Sequence, residues 1–598
     1  MQRRQFLKAS LVATSYASFF APSALLAQNQ NLISFKQIPL NLKDEVIVPP
    51  GYEAKPLISW GDKLFSKALA FDEKKRINEK YIENANLVFG DNTDGMSLFN
   101  LDNGNALLVV NNEYINPEIM FNHRGEKTTL NDVLYMQNSV GVSIFEISQK
   151  EDGFFKVVLD SPYNRRITAK TPIKIQGPAK SHSLMKTKSD PKGELVLGTI
   201  NNCANGQTPW GTYLTCEENF NDFFGTSKKD QGFSPSFKRY GLKEKSLYKW
   251  ELDERFDLAQ NLNEPNRFGW VVEIDPFDPK STPVKRTALG RFKHENAEVV
   301  VNKDGRVVVY MGDDEQNEFL YKFVSKNKFN PKNKAANKDL LDSGTLYVAR
   351  IDGDLLEGVG EWIELSYGKN GLNKANGFNS QAEILINVRL AASFVGATPM
   401  DRPEWIAADL KGEFVYATLT NNTKREQIAP ANPRKNNIYG QILSFSPLNK
   451  DHTQKDFKWS IFALMGNPRV YPSNDPRSGS SNINEDNMFN SPDGLKFDSF
   501  GRLWIQSDGK YSNRGDYEKM GNNQMLCANA KTGEIRRFLS GPIACEVTGL
   551  AFSKDSKIMF VGIQHPGEDG AKSHFPYGKT PRSTIMQIKK LDGGIIGT

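Results

Sequence analysis

Carboxylates, amides and a few thiols recur along this chain beside strand-like runs, and their types point to cation chemistry. The segment NNCANGQTPWGTYLTCEENF (201–220) sets Cys216 directly before Glu217 and Glu218. HENAE carries His294 and Glu295, DRPEW carries Arg402 and Glu404, and FNSPDG carries Asp493 in a Pro-Asp-Gly turn. Residues two apart on an extended chain point to the same side, so Arg402 can grip a phosphate oxygen while Glu404 holds a cation. The bland alternative is a surface ion pair worth little. Arg165 and Arg166 in SPYNRRIT are either a second anion-binding pair or a solvated edge. Cys203 and Cys216 can be joined as a disulfide in an oxidising compartment, or Cys216 can act as a thiolate ligand or a nucleophile. A nucleophilic cysteine needs a histidine or a helix N-terminus beside it, and only His182 and His294 are loosely at hand, which favours the ligand role. There is no P-loop, GxSxG elbow or GxGxxG fingerprint.

Strands have to position these groups, and one signature repeats six times: a polar turn with Gly or Asn, an apolar β-rich run, then a polar cluster. It reads DNGNALLVVNNEY (102–114), DPKGELVLGTINN (190–202), NKDGRVVVYMGDDE (302–315), LKGEFVYATLTNN (410–422), DSFGRLWIQSDG (498–509) and SKDSKIMFVGIQHPGE (553–568). Many short strands without free edges are accommodated economically by a radial array, so the reading is all-β, a β-propeller of about six blades with long inserted loops. A pair of β-sandwiches is the competing architecture. Helical signals are confined to connections such as 131–137, and the Lys- and Asn-rich stretch 325–338 reads as an exposed insertion. If the six runs are equivalent, their polar ends gather at one mouth. Those ends are Asn111, Asn112 and Glu113; Asn201 and Asn202; Asp313, Asp314 and Glu315; Asn421 and Asn422; Asp508; and His565 with Glu568. Converging carboxylates repel one another unless a cation sits among them. With oxygen donors abundant but only six histidines and four cysteines, the inventory favours calcium or ferric iron over zinc or copper.

The chain has 598 residues, 38% hydrophobic and 24% charged, which excludes a disordered, collagen-like or coiled-coil protein. Forty-seven glycines and 30 prolines suit a turn-rich β architecture. It opens MQRRQFLKAS with an apolar run behind, a leader with the twin-arginine pair Arg3-Arg4 used for export of folded proteins. Residues 1–27 are read as that cleaved leader and 28–598 as one propeller domain, periplasmic or secreted. The formal net charge is +6, and removing the leader leaves about +3, no electrostatic case for nucleic acid. No run of apolar residues is long enough to cross a membrane.

Taken in order, the leader, VPPGYEAKPLISWGD (48–62), NRRIT, GPAKSHSLMKT (177–187), the 201–220 segment, RFGWVVEIDPFDP (267–279), KHENAEV, GATPMDRPEW (396–405), LTNN, PDGLKFD and GPIACEVTGL (541–550) resemble the PhoX-type alkaline phosphatases from about residue 45 almost to the end. The resemblance implies a monoester phosphatase on a propeller, with ferric iron (Fe3+) and calcium (Ca2+) bridged by an oxo group. It implies that Cys216 is the iron-bound thiolate, that Glu295 and Glu404 are metal carboxylates, and that Arg402 grips the phosphate. Motif position extends the metal set to Glu217, Glu113, Asp313, Asp493 and Glu546, and Arg165 is taken as a further substrate contact. The histidines usual to the family in the Asn111-Asn112-Glu113 block and near Val140 are absent. Partners are then small phosphate esters and the twin-arginine export machinery, and the chain is expected to be a monomer. Two other functions are compatible with calcium at the mouth of a propeller: a calcium-dependent lactonase or phosphotriesterase, and a non-catalytic calcium-binding propeller.

Overall fold

The structure, a computed structural model, describes residues 32–75 and 77–598; the expected leader lies outside the described residues. Six innermost strands, Thr93–Asn100, Asn202–Gln207, Glu298–Val301, Pro403–Ala408, Pro492–Phe497 and Glu546–Phe552, each touch the next, and the last touches the first. They line the axis of a six-bladed propeller. The first four strands of each blade run outward as an antiparallel meander, and the second blade adds Pro172–Gln176, parallel to Val284–Arg286, with Leu195–Leu197 at its edge. The third and fourth blades are sewn into one nine-stranded sheet by Glu357–Glu364, which pairs with Gly344–Gly353 on one edge and Asp456–Leu464 on the other. The sixth blade takes its outer strand from the other end of the chain: Tyr52–Ser59 pairs with Thr584–Lys590 and so closes the ring.

Burial explains why the second strand of a blade reads as an unbroken apolar run. In Ala106–Asn112 every residue is buried. Leu107 and Val109 pack with the second blade's Tyr213 and Val272, whereas Leu108 and Val110 pack with the sixth blade's Phe560 and Ile585. A sheet covered on both faces has no solvent side, so side-chain alternation leaves no polar trace. Outer strands keep that trace: Pro172–Gln176 alternates exposed and buried residues. The helix Leu130–Ser139 forms in a connection as expected, with Thr129 and Asp132 making a capping box. Of the expected insertion 325–338, the first residues continue the strand Leu320–Lys328, and most of the rest is exposed.

Five of the six signatures are the second strands of blades: Ala106–Asn112, Arg306–Gly312, Val415–Leu419, Leu503–Ser507 and Ile558–Gln564. The copy at 190–202 is not. Its apolar run, Leu195–Leu197, is an outer strand of the second blade with two exposed leucines, and the true second strand is Tyr213–Glu217. The preceding turn, QTPWGT, places Gly211 at φ 90°, and Trp210 folds back to donate to Glu273 Oε1 at 2.7 Å. The two leucines are thus a sharp control. Leu108→Ala should destabilise the protein by about 2–5 kcal/mol, and Leu195→Ala by less than about 0.5 kcal/mol, read from denaturant unfolding.

Candidate metal centre

The mouth of the axial channel is built twice per blade from one geometric rule. The innermost strand starts where the second strand ends, and the two are paired: Thr93 with Asn112, Asn202 with Glu217, His294 with Asp313, Pro403 with Leu419 and Pro492 with Ser507. In these five blades the residue after the first partner of each pair is Asp94, Cys203, Glu295, Glu404 or Asp493. The residue after the second partner is Glu113, Glu218, Asp314, Thr420 or Asp508. The sixth blade supplies Glu546 and His565 from the pair Glu546 and Gln564. The residue just before the pair is left-handed in four blades: Asn92 (φ 42°), Asn201 (φ 47°), Arg402 (φ 55°) and Ser491 (φ 53°). Register shifts follow in the first, fourth and fifth blades. Such bulges re-aim a side chain without ending the sheet. A left-handed arginine is costly, and strain of this sort persists where the surroundings over-determine it.

The result is a cavity of about 250 Å³ lined by Glu113, Cys203, Glu218, Glu295, Asp314, Arg402, Glu404, Asp493, Asp508, Glu546 and His565 among others. Ligand atoms approach closely in four groups: Asp94, Glu113 and Cys203; Cys203, Glu218 and Glu295; Glu295, Asp314 and Glu404; and Asp508, Glu546 and His565. Cys203 Sγ lies 3.3 Å from Asp94 Oδ2 and 3.3 Å from both oxygens of Glu295. Gln564 Nε2 donates to Asp94 Oδ2 at 3.1 Å and to Glu113 Oε2 at 2.9 Å, tying the first and sixth blades together. Arg402 donates to both oxygens of Asp314 at 2.8 Å and lies 2.8 Å from Glu404 Oε1. One edge of its guanidinium is thereby held, and its side chain keeps 25% exposure toward the mouth.

Charge is the controlling feature. Burial, and then the neighbouring acids, push the carboxyls of Glu113, Glu218, Glu295, Glu404, Asp493 and Glu546 well above their ordinary range. Burial also raises the Cys203 thiol, helped by Asp94 and Glu295. Asp314 goes the other way: burial opposes ionisation, yet the Arg402 guanidinium holds its carboxyl below the usual range. Asp493 Oδ1 is buried with no hydrogen-bond partner. An orphaned carboxylate oxygen amid like charges is what a bound cation would satisfy, so the donor set fits a cluster of oxygen-preferring ions with one thiolate.

Of the expected site residues, Glu113, Glu295, Glu404, Asp493, Glu546 and Arg402 converge here. Cys216 does not. It is fully buried in an apolar cluster with Leu214, Val271, Leu289 and Val309, and the thiol at the centre is Cys203. Both cysteines are free, which removes the disulfide alternative. Glu217 accepts from Lys285 Nζ at 2.7 Å and from the Trp270 N–H at 3.1 Å, well behind the mouth. Asp313 is held by Arg389, with Nε at 2.9 Å. Arg165 donates to the carbonyls of Pro279, Ser281 and Asp275 at 3.0, 3.0 and 2.8 Å, a clamp on the blade's outside. For Glu217 and Asp313 the physical reason is shared: they precede Glu218 and Asp314 on extended chain, and neighbours there face opposite ways. His294 is also structural. Its ring stacks on Phe292 at 3.6 Å, its Nε2 meets the Gly290 carbonyl at 2.8 Å, and burial lowers its pKa to about 3. Asn111, where the family's histidine is missing, braces the second blade by donating to the carbonyls of Cys203 and Ala204. The acids not singled out from sequence, Asp94 and Glu218, were legible only by alignment of NTDG and CEEN with HENA, PEWI and PDGL at the strand starts and ends.

Fold and site together define a propeller enzyme with a polycarboxylate centre and one arginine at its mouth. The chain belongs to the family described as alkaline phosphatase PhoX, which matches residues 33–567. Among solved structures it is similar to Pseudomonas fluorescens PhoX in complex with vanadate, a transition state analogue. That match has 53% identity, a TM-score of 0.92, and covers 95% of this chain and 100% of that one. A protein of unknown function from Dyadobacter fermentans (9% identity, TM-score 0.36, 90% and 99% covered) and a gluconolactonase from Xanthomonas campestris (9%, 0.31, 93% and 98%) also match, at scores that add nothing to the assignment. No curated protein matches the chain. The chain is therefore an enzyme that hydrolyses phosphate esters. Among the described residues no helix is long and apolar enough to cross a membrane.

Two outcomes are expected. Cys203→Ser should lower the metal content of the purified protein while Cys216→Ser leaves it unchanged, by elemental analysis; the reverse pattern would restore Cys216 as the ligand. Without cations, the centre's raised carboxyls bind extra protons in the folded state. Stability that is full below about pH 4 is lost as pH rises through those raised values. Metal-free protein should accordingly melt lower at about pH 8 than at about pH 5, and added cations should abolish the gap.

Proposed function

We propose that the chain is an exported phosphate monoesterase whose centre holds ferric iron and calcium. The observation that carries this reading is the convergence of buried carboxylates on Cys203 and Asp493 Oδ1, with Arg402 as the cationic side chain facing the mouth. The two groups that share Cys203 offer a thiolate with carboxylates and suit ferric iron. Glu295, Asp314 and Glu404 offer oxygen alone and suit calcium. Asp508, Glu546 and His565 form the remaining mixed group. When bound, such ions supply Lewis-acid charge against the phosphoryl oxygens.

The chain's own contribution is orientation. Arg402, pinned by Asp314 and set by its left-handed backbone, donates its free N–H groups to a non-bridging phosphoryl oxygen and holds the ester's phosphorus over the cavity. As charge builds on those oxygens during in-line displacement the same donors bind more tightly, which is where the rate gain arises. Since one chain supplies every group of the centre, the enzyme is read as a monomer. Residues 1–27 are read as a twin-arginine leader, giving a periplasmic or secreted mature protein.

The test is release of phosphate from p-nitrophenyl phosphate, with elemental analysis of the same preparation. Stoichiometric iron and calcium, activity lost on chelation with EGTA, and a fall in kcat/KM of about a hundredfold or more in Arg402→Met support the proposal. Active protein free of iron and indifferent to EGTA would refute it.

A further inference from the structure

The cavity has two unlike walls. Arg402 belongs to the fourth blade, and in a six-membered ring the blade diametrically across is the first. The connections that leave the second strands of the sixth, first and second blades supply Glu568, Tyr114, Asp222 and Tyr248 to that far wall. None of these four falls in the close ligand groups of the centre.

Their chemistry is consistent. Tyr248 is 8% exposed, its ring rests on Phe223 at 4.9 Å, and its hydroxyl has no hydrogen-bond partner among the described residues. Tyr114 donates to Glu568 Oε1 at 2.7 Å, an oxygen that also accepts from Asn116 at 2.9 Å, and Glu568 Oε2 lies 3.3 Å from His565 Nδ1. Asp222 accepts from Asn221 at 2.9 Å and makes no ion pair among the described residues; nearby Lys293 is paired with Glu315 at 2.8 Å. Phenols are neutral at neutral pH, so both rings keep their electron-rich faces. With the phosphoryl group drawn to the fourth blade, the leaving alcohol points at neutral aromatic faces edged by carboxylates. Such a wall attracts an organic cation and repels an anion.

Resting on the monoesterase reading, we propose that this wall selects phosphate monoesters whose alcohol carries an ammonium group, with choline phosphate as the probe. The reaction is ordinary hydrolysis. The oxygen of water bonds to phosphorus as the ester P–O bond breaks. The electron pair of that bond goes to the choline oxygen, which ends with a proton from the water, and hydrogen phosphate departs. The ammonium nitrogen sits two carbons from the ester oxygen, and Arg402, Tyr114, Asp222, Tyr248 and Glu568 all line the same cavity of about 250 Å³.

The experiment compares kcat/KM for choline phosphate and its uncharged isostere, 3,3-dimethylbutyl phosphate, in metal-replete enzyme, with p-nitrophenyl phosphate as the reference ester. The expected preference for choline phosphate is several-fold to about thirtyfold. It should shrink toward unity in Tyr248→Leu and Asp222→Asn and persist in Tyr248→Phe, which keeps the ring. Turnover of the reference ester with equal kcat/KM for the isosteric pair would overturn this inference alone, as would a preference untouched by both Tyr248→Leu and Asp222→Asn. No turnover of any of the three esters would overturn the monoesterase reading and this inference with it.

Discussion

Like charges brought together out of water set the terms for this molecule. Six inner strands start at the axis, and the side chains there are four acids and a thiol from the first five blades and another acid from the sixth. Their ionised forms cannot coexist without positive charge in their midst, and among the described side chains that line the cavity Arg402 alone carries a permanent one. The chain also limits the repulsion it creates. Where two acids are adjacent at a strand end, the one facing away is tied to a buried base: Glu217 to Lys285, Asp313 to Arg389. Each such pair is neutral, so only the channel-facing acid adds to the field at the centre. Breaking either pair would leave an uncompensated buried charge directly behind a channel-facing acid.

The division of labour follows from topology. Blades with both faces covered are rigid, and their pairing register sets where the inner acids stand. Tyr52–Ser59 completes the sixth blade, and Gln564 of that blade bridges to the first through Asp94 and Glu113. The rim has a different origin. Tyr114, Asp222, Tyr248 and Glu568 come from connections, which change shape more readily than a propeller core. The acidic centre therefore resides in the blades, and the aromatic and acidic wall across from Arg402 in the loops.

The strand signature was legible because covered strands are continuous apolar runs between Gly or Asn turns, and five such runs are second strands. It misled once, at Leu195–Leu197, where a short exposed strand shares the same turn residues. That slip carried the thiol assignment with it. Read from TCEE, Cys216 belongs with the acids beside it, but it lies within the strand Tyr213–Glu217 and packs in the apolar layer, whereas Glu218 stands just past the strand's end and Cys203 across the hairpin lies against Asp94 and Glu295. Glu295 and Glu404 were legible through the motifs HENAE and DRPEW that carry the family resemblance, and Asp493 and Glu546 through their motif positions within it.

By itself the sequence determined the repeated strand pattern, the predominance of oxygen ligands over histidine, and the presence of an arginine two residues from a carboxylate. These are properties of local composition and period, carried by residues near one another in the chain. Which neighbour of each acidic pair faces the axis, which cysteine joins them, and which wall lies across from Arg402 were decided by tertiary structure alone. A one-residue change of register reverses the direction of every side chain on a strand, and that register is set by pairing between distant segments.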